Sequence, residues 1–159
     1  MDHEHQTSAL SLAQHTVRLQ TLLERPIASV LSAHGLSRSE LDVLGALAER
    51  GDRGARPREL SSRLLLTTGG LSNILRRLQA DGLIEREADT SDARSHIVRL
   101  TAEGRTTAHE TGTAAIAAIA RALDPADASV LQQAAELLHQ VLTVMGEDAP
   151  VHRDPSPTS

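Results

Sequence analysis

The chain contains no cysteine, phenylalanine, tyrosine or tryptophan, and all 16 of its basic residues are arginine. Each absence excludes something. Without cysteine there is no disulfide, thiol redox switch or thiolate metal site. Without phenylalanine, tyrosine or tryptophan the core must be aliphatic, and no benzene or indole ring can stack on a base or on an aromatic ligand. No run of about 18 apolar residues is present, which removes a helical membrane span. No signal-peptide pattern is visible either, so a cytoplasmic location is expected. A length of 159 residues leads us to expect one domain with a real core.

Metal chemistry is also poorly supported. A zinc site wants ligands converging at short helical spacings, such as histidines at i and i+4. His15 and His34 have no such partner, and His109 is followed four residues later by Thr113. His3 and His5 fall in an end expected to be disordered. We therefore expect no metal and no cofactor.

What is present concentrates between Pro57 and Gly104. Pro57 suits the first position of a helix, where its missing N–H costs nothing. Leu60 and Leu64 lie one turn apart, with Leu65 beside them, so this helix should pack inward. A Thr-Thr-Gly-Gly turn should follow, with Thr68 as the N-cap of the next helix. There Leu71, Leu75 and Leu78 are spaced i, i+4, i+7 and form the buried stripe. The opposite face carries Gly69, Ser72, Asn73, Arg76 and Arg77. Hydroxyl, amide and guanidinium groups read base edges and hold phosphates, and Gly69 and Gly70 leave room for close backbone approach.

Charge supports a nucleic-acid reading of this face. From Arg53 to Arg77 there are six arginines (53, 56, 58, 63, 76, 77) and one acid, Glu59, a local +5 in a chain of net −5. A basic island in an acidic protein suits phosphate contact. Gly82 then fits a helix C-terminal cap. Leu83 to Glu87 reads as one strand, residues 88–95 as a turn, and Ile97 to Leu100 as the returning strand. This order is a helix-turn-helix with a wing. Arg94 at the tip can enter a minor groove, with Asp92 holding its guanidinium.

From Leu36 to Arg105 the sequence resembles the MarR family of bacterial transcriptional regulators. The matching segments are Leu36 to Leu44, Glu59-Leu60, the Thr-Thr-Gly-Gly turn, Leu78 to Arg86, the pair Asp92 and Arg94, and Leu100-Thr101-Ala102-Glu103-Gly104. The resemblance implies a mainly α fold with a small β wing. It further implies a winged-helix homodimer on a palindromic double-stranded DNA operator, acting as a repressor that a small molecule releases. The missing cysteine removes the peroxide-sensing branch. The chain is especially similar to the subgroup that includes urate-responsive regulators. The resemblance carries their ligand-site aspartate to Asp42 and their strand arginine to Arg86. Ile74 stands where their recognition helix has an arginine, and no tryptophan is available, so the expected effector is not urate-like.

The flanks suggest how one module becomes two. Residues 8–35 form a helical region with Pro26 breaking or kinking it. Residues 36–100 hold the winged helix-turn-helix, and 101–146 a long helix followed by a last one that Asp124-Pro125 should open. Val130, Ala134, Leu137 and Val141 make one stripe of this last helix, and Leu131, Ala135, Leu138 and Leu142 its neighbour. Two adjacent stripes exceed one intramolecular contact, so 8–35 and 101–146 are expected to dimerise. Residues 147–159 read as a disordered tail. A DNA-binding regulator without a small ligand and a winged-helix interaction module are the alternatives. An enzyme is disfavoured, because no catalytic domain or cofactor fingerprint is present.

Overall fold

A computed structural model describes residues 3–88 and 96–147. Its elements are α1 (His3–Ala33), α2 (Arg38–Arg50), a 3-10 turn (Gly51–Arg53), α3 (Pro57–Arg63), α4 (Thr68–Ala80), β1 (Ile84–Ala88), β2 (His96–Leu100), α5 (Ala102–Leu123) and α6 (Ala128–Val144). This is the mainly α fold with a small β wing. The chain divides into two compact units, Met1–Ala122 and Leu123–Ser159.

In the first unit the start of each short helix is fixed by a local device. Ser37 caps α2 by accepting from Glu40 N, while Glu40 Oε2 accepts from Ser37 N at 2.7 Å. This reciprocal capping box satisfies two orphan donors. Pro57 opens α3, and Glu59 accepts from Arg56 N at 3.0 Å. Helix α3 lasts only seven residues. Leu65 then turns the chain with φ +52° and points outward, 80% exposed. The inward packing of α3 therefore rests on buried Leu60 and half-buried Leu64, without Leu65.

Thr67, not Thr68, caps α4, because its hydroxyl accepts from Gly70 N at 3.1 Å. The turn proper is Leu64 to Leu66, and the Thr68-Gly69-Gly70 segment forms the first turn of α4. The stripe of α4 is as expected: Leu71, Leu75 and Leu78 are all buried. They join Val43, Leu44, Leu47, Leu60, Val98 and Leu100 in one aliphatic core. Each such side chain contributes roughly 1.5–3 kcal/mol when removed from water.

The wing pairs antiparallel from Ile84↔Leu100 to Ala88↔His96. Ala55 adds a third, one-residue rung to Val98 through two backbone hydrogen bonds of 3.0 and 2.9 Å. Gly54 makes that rung possible: its φ is +62°, and a Cβ there would meet Val98 O at 2.4 Å. The wing base is tighter still. A Cβ on Gly104 would lie 1.8 Å from Leu83 O. Thr101 closes the same joint by donating its hydroxyl to Gly82 O at 2.7 Å and accepting from Gly104 N at 3.0 Å.

Helix α1 begins at His3, where disorder was expected, and continues through Pro26, so the proline does not break it. Proline removes one N–H donor and crowds the carbonyl four residues back. One lost hydrogen bond is tolerable in a 31-residue helix whose next turns are pinned by buried Ile27 and Leu31. His3 and His5 accordingly lie in helix. In the second unit, Asp127 caps α6 by accepting from Ser129 N at 3.2 Å. Asp124 and Pro125 instead occupy the preceding turn, closed by Ala126 N to Leu123 O at 2.8 Å. No residue of α6 is buried. Among the described residues no helix is long and apolar enough to cross a membrane.

Candidate nucleic-acid interface

With one face of α4 committed to the core, the 3.6-residue repeat turns Thr68, Gly69, Ser72, Asn73 and Arg76 outward, and all five are exposed. Gly70, beside the cap, is half-buried. A Cβ on Gly69 would touch nothing within 4 Å, so the start of this face is open to close approach by a ligand backbone. Arg76 donates from Nη2 to Asn73 Oδ1 at 3.1 Å. That bond aligns the two side chains, leaves the Asn73 amide hydrogens free, and leaves the other guanidinium donors of Arg76 pointing outward.

Arg77 behaves differently from its neighbour. Its Nε lies 3.2 Å from Glu40 Oε1 and 3.8 Å from Asp81 Oδ2, and its Nη2 donates to Gly35 O at 3.1 Å. The Glu40 side chain is only 3% exposed. A buried carboxylate needs a counter-charge, so Arg77 is tied back into the protein. Arg77 is exposed on the same side of α4 as Arg76, but unlike Arg76 it is held by partners within the protein.

The basic island is likewise smaller in space than in sequence. Arg63 pairs with Glu49, which lies outside the island in sequence, while the island's own acid, Glu59, pairs with Arg50 at 3.0 Å. Backbone donation from Arg56 N, followed by the neighbouring Arg50 guanidinium, holds the Glu59 carboxyl below its ordinary value despite partial desolvation. Arg53, Arg58 and Arg76 form no ion pair with any described residue. At the wing, Arg99 pairs with Glu87 and donates from Nε to Asp52 O at 2.7 Å, bracing β2 against the 3-10 turn. Asp92 and Arg94 lie outside the described residues.

Among the described residues no ion pair joins the expected effector residues Asp42 and Arg86. Asp42 pairs with Arg38 at 3.1 Å, one turn back on α2. Arg86 is exposed on β1 opposite Val98, and Ile74 is half-buried against the core. Among the described residues no group of three or more histidines, aspartates or glutamates could hold a metal ion.

Three contributors escaped the sequence reading: Glu40, Thr67 and the Gly35 carbonyl. A signal existed for the first, since Ser37-Arg38-Ser39-Glu40 is the spacing of a capping box. Nothing local pointed from Glu40 to an arginine 37 positions later.

A helix-turn-helix whose second helix presents an Asn/Arg face beside a two-stranded hairpin defines a winged-helix protein. Residues 34–95 match the model of the MarR family. The winged helix-turn-helix of this chain is similar to that of the MarR family of transcriptional regulators. It is 35% identical over 71 residues to the uncharacterized HTH-type transcriptional regulator YkoM of Bacillus subtilis, covering 45% of each chain. The matches to curated relatives span 40–53% of those proteins' lengths. Among solved structures, a MarR-family transcriptional regulator from Rhodococcus sp. RHA1 superposes with a TM-score of 0.74 at 20% identity, over 84% of this chain and 93% of that one. The Mycobacterium tuberculosis MarR family protein Rv2887, solved with salicylic acid, gives 0.66 at 28% identity, over 82% and 95%.

Proposed function

We propose that the chain is a dimeric, sequence-specific regulator of transcription that binds a palindromic operator in double-stranded DNA. The observation that carries this reading is the exposed face of α4, where Ser72, Asn73 and Arg76 stand clear of every ion pair among the described residues. Arginine and asparagine offer bidentate geometry to guanine and adenine edges in a groove that admits an α-helix. Thr68, Gly69 and Gly70 at the helix start suit phosphate approach. In this reading Arg94, positioned by Asp92, enters the adjacent minor groove.

Homodimerisation through residues 8–35 and 101–146 is supported by α1 and α6, which bury two residues and none respectively. The regulator acts as a cytoplasmic repressor, released by an apolar effector with at most one anionic group bound near Asp42, Ile74 and Arg86. The salicylic acid in the M. tuberculosis protein supports a small carboxylate of this kind. Release requires the ligand to favour the state that does not bind DNA.

The test is footprinting on the DNA upstream of the chain's own coding region, followed by Arg76→Ala. If Arg76 reads a base, the variant loses ~1–3 kcal/mol and relaxes preference at that position. A folded Arg76→Ala chain with unchanged operator affinity would sink this assignment. Titrating the operator complex with urate and with hydrophobic carboxylates tests the effector: release by micromolar urate would overturn it.

A further inference from the structure

We propose that Arg77 is a positioning residue rather than a DNA contact. Its guanidinium pins α4 to the junction of α1 and α2, and operator affinity depends on that latch. The inference rests on reading α4 as the recognition helix.

The latch joins three elements. Gly35 follows α1, Glu40 lies in the first turn of α2, and Arg77 lies in the last turn of α4. Glu40 is buried, with Oε2 satisfied by Ser37 N at 2.7 Å and Oε1 facing Arg77 Nε at 3.2 Å. Arg77 Nη2 reaches past it to the Gly35 carbonyl at 3.1 Å, while Asp81 lies 3.8 Å from Nε. Gly35 has φ +66°, a left-handed turn that glycine adopts without strain. One planar fork thus serves a carboxylate and a carbonyl at once, which a lysine ammonium on its single point cannot reproduce.

The outer side of Arg77 is in water, its side chain being 59% exposed. A phosphate could therefore reach it, and the two roles compete for one guanidinium. Burial decides between them. Moving the guanidinium to a phosphate would strand the Glu40 carboxylate inside the lobe without its counter-charge, whereas Arg76 has no such debt. The latch also fixes rotation: with Leu71, Leu75 and Leu78 seated in the core, a tether at the C-terminal turn sets how far the Asn73/Arg76 face projects.

The experiment compares the full chain with Glu40→Gln, Arg77→Lys and Arg77→Ala on the footprinted duplex over a salt series. Glu40→Gln is isosteric and keeps the capping acceptor, and it deletes a negative charge. Electrostatics alone therefore predicts tighter binding. The latch predicts the reverse: about tenfold weaker binding, or ~1.4 kcal/mol. Arg77→Lys should weaken binding similarly, and the Glu40→Gln, Arg77→Lys double variant no further, because both break one interaction. All should keep the wild-type salt slope. A slope shallower by about 0.9 in Arg77→Ala, with Arg77→Lys binding normally, would identify a phosphate contact and overturn the latch. Equal or tighter binding by Glu40→Gln would do the same. If Glu40→Gln fails the unfolding control, the partly exposed Arg77→Lys variant carries the test alone. Wild-type chain that binds no duplex would overturn the DNA reading itself, a result distinct from variants that leave binding unaffected.

Discussion

Leu75 in α4 and Leu137 in α6 are the same side chain in helical stripes of similar spacing, yet one is 1% exposed and the other 61%. Around Leu75, three helices and the wing close a saturated aliphatic core. In α6, Val130, Leu137, Val141 and Leu142 are all exposed. An amphipathic stripe states that a helix has a face to bury; it does not state against what. In the winged-helix segment the partners lie within about 60 residues of sequence and are found within the chain. In α6 the stripe is left for a second copy, in the dimer proposed above.

The largest expected effects separate these two regions directly. Leu75→Ala should cost about 2–5 kcal/mol by removing buried methyl groups and leaving a cavity, and the loss should not depend on protein concentration. Removing residues 124–159 deletes the stripes of α6 and should give monomers or insoluble protein, whereas removing only 147–159 should leave the dimer. Light scattering on the two truncations decides it. A full-length chain that is monomeric at micromolar concentration would break the contrast.

Gly104→Ala comes next. It asks whether the tight region reaches into α5, since the added Cβ would collide with a backbone carbonyl rather than a yielding side chain. A loss of about 1–3 kcal/mol is expected in urea unfolding. No loss would mean that the wing base can part from α5 at little cost.

A gain is expected at Leu65. Its left-handed backbone disfavours leucine, and its exposure gives no burial in return. Leu65→Gly should be neutral or stabilising by up to ~1 kcal/mol, relief of the strain outweighing the extra freedom of the unfolded chain. A clear loss of stability would show that the exposed side chain has a packing role.

The smallest effect is at the rim. Glu59 is held below its ordinary value of 4.5 by Arg56 N and then Arg50. Because the folded value is the lower one, this contribution is fully present above the unfolded value and is lost as pH falls through the folded one. The acid limb of stability against pH should therefore be shallower in Glu59→Gln. An identical limb would mean that the half-exposed pair contributes nothing measurable.

Legibility in the sequence followed the range of each interaction. The Leu71/Leu75/Leu78 stripe, the wing strands and Pro57 at a helix start are set by spacing within a few residues, and all were readable. The two misplaced caps share one cause. Thr67-Thr68, like the pair Asp124 and Asp127, offers two capping residues, and only the reach of a side-chain oxygen to the N–H of the first turn chooses between them. The site was harder. Arg76 and Arg77 are adjacent and chemically identical, and a linear count of charge gives both to the DNA. Only the fold brings a buried carboxylate under one of them. The same folding places Glu49 against Arg63 and Glu40 against Arg77, shrinking the basic island. Pro26 does not end its helix, because one lost hydrogen bond is a small part of a helix of 31 residues.

The joint at Leu83, Thr101 and Gly104 has a mechanical consequence. Leu83 O accepts from Thr101 N at 3.1 Å and abuts Gly104, so the root of the wing and the start of α5 meet at a single peptide. No side chain lies between them to act as a cushion. Helix α5 has 22 residues, which makes it an arm about 33 Å long. Turning such an arm through about 5° at its seat sweeps the distant end by roughly 3 Å. Run in reverse, a rigid arm of this length would turn a coarse displacement at its far end into a fine tilt at the hairpin, and glycine at position 104 is what lets the two backbones meet so closely.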